Sequence, residues 1–242
     1  MSEGLIEELG LGPEELIAVV GAGGKSTLLA HLGSEYASRG AKVILTTTTK
    51  MGVDQISEPT CRTTDPEFVD SELVAGVPLF VVGGVDGSKV TGIGPEVVDR
   101  LFEETAATVV VVEADGARRK RFKAPAGHEP VIPSAASIVI VVAGAASIGM
   151  PISEAAHRPE IVADLADART SDTLTPDRAA RVLLHPLGGG KNVPSRSRLL
   201  YLVTAGPGSV SRAEALVDSL ERRAPGVITR MWSLEDRGVD RS

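Results

Sequence analysis

The chain has one cysteine, Cys61, in 242 residues. It can form no intrachain disulfide and no cysteine-rich metal site. No His or Asp at meaningful spacing suggests an activated thiol, so Cys61 reads as incidental. Aromatic residues make up only 3% of the chain, which leaves Val, Ile, Leu and Ala to build the core. No apolar run reaches the ~18 residues of a membrane-spanning helix. The stretch MSEGLIEELGLGPEEL is acidic and has no apolar signal core. Positive charge is in deficit as well: Lys plus Arg is 25 and Asp plus Glu is 32, a net −7. An acidic chain poor in aromatics is not a general nucleic-acid binder. Internal repeats and low-complexity linkers are missing too. What is present is ordinary globular composition, with 43% hydrophobic and 24% charged residues. The expectation is a soluble, cytoplasmic protein with one domain over residues 1–242, and with neither membrane nor nucleic acid as partner.

Short β-branched runs recur along the chain, each ending in Gly, Thr or acidic residues. They predict strands at Leu16–Val20, Lys42–Thr46, Leu79–Val82, Thr108–Glu113, Ile138–Val142, Leu199–Val203 and Val227–Met231. Most are apolar throughout rather than alternating, which marks strands covered on both faces of a parallel sheet. Lys25–Arg39 places Leu28, Leu29, Leu32 and Tyr36 on one helical face. Ser209–Arg223 does the same with Ala213, Leu216, Val217 and Leu220. Pro66, Pro95 and Pro176 suit first helical positions, with Asp65 and Thr175 as N-caps. Alternating strands and helices predict an α/β fold: a doubly wound, mostly parallel sheet with helices on both faces. Three stretches look irregular and functional, near residues 116–136, 144–175 and 187–198.

The first predicted strand runs into GAGGKST, Gly21–Thr27, and then into a helix. Amides of such a turn, with the helix N-terminus, cradle an anion. Gly21, Ala22, Gly23, Gly24, Lys25, Ser26 and Thr27 are therefore candidate phosphate ligands. Lys25 would reach the β- and γ-phosphates, and Ser26 would place its hydroxyl on Mg²⁺. The standard GxxxxGK[ST] pattern would need Gly where Val19 stands. The short form GxxGKST instead matches the GxxGKTT loop of the Mur ligases, which bind ATP.

The second strand ends in four threonines and a lysine, Thr46–Lys50. Strand ends of this kind line the crevice of an open parallel sheet, and Thr47 and Thr48 are the favoured ligands. The strand Thr108–Glu113 leads into Asp115. Its end resembles a Walker B carboxylate, so Glu113 or Asp115 would hold Mg²⁺ or orient a water. Five cations come next within six residues: Arg118, Arg119, Lys120, Arg121 and Lys123. They read either as a solvated face or as a claw for polyanions; Lys123 is the more specific of them. His128 and Glu129 in HEPVIP, and His157 and Arg158 in AHRPE, suit acid–base work or ligand binding. Neither pair has a zinc pattern.

The ordered set VVGAGGKSTLL, VILTTTTKM, VVEADG, FKAPAGHEPVIP and AHRPE resembles the YqeC family. Its members are described as selenium-dependent hydroxylase accessory proteins. The resemblance covers roughly two-thirds of the chain. It implies a P-loop NTPase-like fold and a link to maturation of molybdenum hydroxylases, enzymes with a pterin-bound metal. In the family pattern, an Asn-Lys-x-Asp-like element after a late strand would select guanine; VTAG (Val203–Gly206) stands there instead. Its absence favours ATP. GGGKNVP looks like a Gly–Lys loop of the family and makes Lys191 a weaker candidate.

These readings lead first to an ATP- and Mg²⁺-dependent NTPase, leaning towards an enzyme. Lys25, Glu113, Asp115, His128 and Glu129 would carry its chemistry. Lys123, His128, Glu129, His157 and Arg158 would shape a second pocket, for a pterin or selenium compound. The alternative is a nucleotide-gated chaperone that docks on an apo-hydroxylase through the basic loop. A Mur-type ligase is a third reading, but 242 residues leave no room for its further domains.

Overall fold

The computed structural model describes residues 4–233. Helix α1 (Leu5–Glu8) precedes strand β1 (Glu15–Ala22) and helix α2 (Lys25–Ser38). Strands β2 (Val43–Thr47), β3 (Met51–Gly52) and β4 (Thr60–Cys61) lead to α3 (Pro66–Glu72) and β5 (Leu79–Val81). A hairpin of β6 (Gly84–Asp86) and β7 (Lys89–Thr91) is followed by α4 (Pro95–Glu104) and β8 (Val109–Glu113). Next come β9 (Phe122–Lys123), β10 (Ile138–Gly144), α5 (Ile152–Ala155), β11 (Ala156–His157), α6 (Pro159–Ala166) and α7 (Pro176–Leu184). The described chain closes with β12 (Arg198–Ala205), α8 (Val210–Arg223) and β13 (Ile228–Ser233).

Eight strands make one sheet in the order β13-β12-β10-β1-β8-β2-β5-β4. Every neighbouring pair in it is parallel. This is the α/β architecture expected, and it is consistent with a P-loop NTPase-like fold. All seven predicted strands are present. The eighth, β4, has two residues and is too short to show a pattern.

β1 is the hinge of the topology. In this sheet β8, β2, β5 and β4 lie on one side of it, and β10, β12 and β13 lie on the other; β3, β7 and β6 form a separate three-stranded sheet. Ligands bind parallel sheets at such reversals, beyond the strand carboxyl ends. Alternate residues of β1 enter two cores. Leu16, Ala18 and Val20 pack with Val69 of α3, Leu101 of α4, Val162 of α6 and Leu216 of α8. Ile17 and Val19 pack with Leu28, Leu29 and Leu32 of α2 and with Leu5 of α1. Covering both faces is what makes the strands apolar throughout.

The expected caps form: Asp65 accepts from the Glu67 amide at 3.0 Å and Thr175 from the Arg178 amide at 3.2 Å. The stretch 144–175, expected to be irregular, holds α5, β11 and α6. The start of α6 carries only half of the usual signal: Pro159 takes its first position, but the N-cap is Arg158, in a left-handed conformation, where Ser, Thr, Asp or Asn is the usual mark. Strands β9 and β11 pair in parallel and set His157 opposite Lys123. Among the described residues, no helix is long and apolar enough to cross a membrane.

Candidate functional site

The loop after β1 is shaped by backbone. Gly21, Gly23 and Gly24 have φ of 93°, 99° and 126°, values that L side chains rarely tolerate. A Cβ on Gly21 would lie 2.3 Å from the Val142 carbonyl oxygen, and one on Gly23 would lie 2.5 Å from the Gly144 nitrogen. The late strand β12, which carries VTAG, backs the loop: the Thr204 hydroxyl donates to the Gly23 carbonyl. Lys25 opens α2 and is buried. Its Nζ donates to the Gly21 carbonyl at 2.9 Å and lies 3.2 Å from Asp115 Oδ1 and 3.5 Å from Glu113 Oε1. Burial pulls the Lys25 pKa down, but the charges of Asp115 and then Glu113 outweigh it, so the ammonium titrates above its ordinary range.

β8 delivers both acids, to different places. Glu113 borders the open cleft and accepts the Ser26 hydroxyl at 2.8 Å. Ser26 in turn accepts from Gln55 Nε2 at 3.0 Å. Asp115 lies behind the loop, 1% exposed. Its Oδ2 accepts the Gly21 amide at 3.0 Å and pairs with Lys123 at 2.8 Å. Its Oδ1 touches Lys25 as an ion pair without an aligned hydrogen bond. Glu113 and Ser26 therefore fit a Mg²⁺ held on the loop, and Asp115 fits a positioning role. Among the described residues, no three His, Cys, Asp or Glu side chains gather as a metal cage. Mg²⁺ takes most of its ligands from phosphates and water, so two protein oxygens suffice.

The threonine cluster departs from expectation. Thr47 donates to the Glu113 carbonyl at 3.1 Å, and Thr48 to the Val131 carbonyl at 3.0 Å. Neither lines the cleft; Thr49 and Lys50 do. Thr47 and Thr48 thus use their hydroxyls to tie β2 to its neighbours. His128 also stands apart. Its side chain is 80% exposed, with Nε2 3.9 Å from Glu129 Oε1, and it does not border the cleft. Lys191 donates to the Ala126 and Gly127 carbonyls and so pins the 124–130 segment from outside.

Glu129 and Arg158, 29 residues apart, meet in a bidentate pair. Nη1 reaches Oε2 at 2.8 Å and Nη2 reaches Oε1 at 2.9 Å. Lys123, also buried, holds Glu129 Oε2 at 2.9 Å and the Gly116 carbonyl at 2.7 Å. Burial raises the Glu129 pKa, but hydrogen bonds from Arg158 and then Lys123 prevail and hold it at about 2. His157, half-buried, is pushed below its ordinary pKa by burial and then by Arg158 and Lys123. Glu113, Lys25, Asp115, Lys123, Glu129 and Arg158 form an unbroken series of alternating charges.

These parts border one cleft of about 640 Å³. The glycine-rich loop with Lys25, Ser26 and Thr27 is its floor, the 49–55 segment with Lys89 is one wall, and the basic loop 116–121 is the other. Arg119 and Asp54 meet across it at 2.9 Å. Eight Lys and Arg but only two Glu border the cleft, in a chain of net −7. Arg118 and Arg119 both have positive φ, 46° and 61°. Sequence reasoning missed Gln55, for which no local signal exists. It also missed Lys89, which the Asp86-Gly87 turn could have placed on a hairpin.

The model of a family described as "YqeC protein" matches residues 17–160. That range runs from β1 to just past Arg158, and so spans the cleft. A relative from Escherichia coli (strain K12), named "Uncharacterized protein YqeC", is 34% identical over 191 residues. The aligned part covers 78% of this chain and 75% of that protein.

Proposed function

The chain belongs to the YqeC family, and we propose that it binds a nucleoside triphosphate with Mg²⁺ on the 21–27 loop. The observation that carries the reading is the loop itself. Three glycines in conformations closed to side chains turn a central parallel strand into a helix that begins with Lys25. Such a turn leaves amides and a cation facing an anion. Lys25 and the amides of residues 23–27, which border the cleft, would hold the β- and γ-phosphates; the Gly21 amide is already engaged by Asp115. Ser26 and Glu113 would hold the ion, which would neutralise phosphate charge. The stretch VTAG, without an Asp to read guanine, supports ATP. The family resemblance supports a role as an NTPase or ATP-dependent factor in maturing selenium-dependent molybdenum hydroxylases.

A second reading, a nucleotide-gated docking partner of an apo-hydroxylase, draws on the Arg119–Asp54 contact. That contact joins the two walls over the loop, where a bound nucleotide could switch them. Hydrolysis accelerated by an apo-hydroxylase, and unaccelerated by pterin or selenium compounds, separates this reading from the first.

The primary test is thermal stability with ATP, GTP, CTP or ADP, each with Mg²⁺, on the natural protein and on Lys25→Ala. A ligand at ~100 times its dissociation constant adds about 2.7 kcal/mol, or roughly 5–10 °C for a chain of this size. The expected result is such a rise with ATP that Lys25→Ala abolishes. A rise with no nucleotide at all sinks the proposal.

A further inference from the structure

We propose that the His157–Arg158 end of the cleft is a second anion subsite, which takes the phosphate or carboxylate of a small molecule bound beside the nucleotide. Its place beside a nucleotide rests on the nucleotide reading; the subsite itself rests on the geometry of Arg158 and on the charge of the cleft.

Arg158 is held ready rather than consumed. Its backbone is left-handed, with φ 64° and ψ 63°, a conformation that a non-glycine residue keeps only where its surroundings hold it. The guanidinium lies against buried Glu129, whose two oxygens fix it in one plane. Planar bidentate locking of this kind pre-organises an Arg for further recognition. Beyond Glu129, only Nη1 has further contacts, with the Ala124 carbonyl and His157 Nδ1, both at 3.4 Å. Nε–H and the second Nη2 hydrogen make no hydrogen bond among the described residues. The side chain is 22% exposed, and it borders the cleft together with His157. A clamp that only fastened the 124–130 segment would need neither open donors nor an open face.

The charge of the cleft points the same way. Arg119, Lys50 and Arg158 pair with carboxylates outside the loop, and Lys25 with those beneath it. Arg118, Lys120, Arg121 and Lys89 also border the cleft and make no ion pair among the described residues. A magnesium-bound triphosphate on the loop, its charge partly neutralised by the metal, leaves part of that excess unmatched. His157, kept uncharged near neutrality by burial and by the cations beside it, adds a neutral ring that can donate to an anion or accept from its hydroxyl. The chemistry that satisfies a fixed guanidinium edge, a neutral imidazole and surplus cations together is a compact anion on a small molecule.

The test uses the full-length protein saturated with Mg²⁺ and a non-hydrolysable ATP analogue, so that the phosphate loop is filled. Inorganic phosphate and, separately, acetate are titrated in by calorimetry. At least one is expected to bind. Arg158→Lys keeps the charge and loses the fork, and is expected to weaken that anion tenfold or more, at least five times its effect on the analogue. His157→Gln, which leaves the Glu129 pair intact, is expected to weaken it threefold or more. Binding of phosphate alone assigns a phosphate ester, and binding of acetate alone a carboxylate. Three results overturn the proposal: neither anion binds, neither variant weakens it, or both weaken the analogue equally. Failure of the nucleotide reading is separable. If Lys25→Ala binds the analogue as the natural protein does, that reading falls. The subsite still stands if phosphate binds Lys25→Ala without analogue and Arg158→Lys weakens it by the same factor.

Discussion

The two ends of the cleft are built by different means. At the loop end, the shape is set by backbone: glycines at positive φ lie against the carbonyl of Val142 and the amide of Gly144. At the other end it is set by side-chain charge, with Lys123 shared between Asp115 and Glu129, and Glu129 shared with Arg158. A steric device tolerates no substitution, and nothing elsewhere compensates for one. An electrostatic device can be rebalanced, because what it requires is a matched sum of buried charges. Lys25 belongs to both, since it opens the helix after the glycines and also sits between two carboxylates.

Three changes test that contrast. The largest expected effect is at Lys123. Lys123→Met leaves Asp115 and Glu129 each short of a buried cation and is expected to cost about 3–5 kcal/mol in urea unfolding. Adding Asp115→Asn should return part of the loss; no recovery would mean that charge balance is not what holds this end. Next comes Gly23→Ala, expected to cost roughly 2–3 kcal/mol from left-handed strain and backbone collision. It should also remove the rise in melting temperature proposed for ATP. No change of charge nearby should restore it, and a Gly23→Ala protein that still responds to ATP would break the steric half of the contrast. The smallest effect is in pH. Glu129 has a depressed pKa, so its contribution is present above pH 4.5 and lost as pH falls towards about 2. Glu129→Gln should therefore be less stable than the natural protein at neutral pH, with the gap closing across that acid window. A gap that stays constant with pH would show that the carboxylate's charge is not what matters.

The local half of this architecture was legible in the sequence. Seven apolar runs gave seven strands, and GAGGKST announced its turn, because each signal lies within a few adjacent residues. Asp65 and Thr175 announced their helices for the same reason. What escaped was long-range. Nothing near Glu129 says that its partner is Arg158. Nothing in the run of threonines says that the hydroxyls of Thr47 and Thr48 close onto the carbonyls of Glu113 and Val131. Glu113 and Asp115 look equivalent at period two, yet one faces the cleft and the other is buried behind it. α6 was half-hidden: Pro159 stands at its first position, but left-handed Arg158, with no capping hydroxyl, precedes it.

The central place of β1 also has a consequence for the order of assembly. The chain lays down every strand on one side of β1 before any on the other. By Glu113, a five-stranded half-sheet can already pair, from β1 through β8, β2, β5 and β4. The loop at 21–24 cannot yet take its final form, because the backbone it rests against belongs to Val142 and Gly144. Contacts so distant in sequence form late, since the intervening chain must first be ordered. A nascent or truncated chain that ends before β10 would carry the whole GAGGKST motif and lack the surface that gives it its shape. The motif is written early in the chain and becomes a site only when residues some 120 positions later arrive.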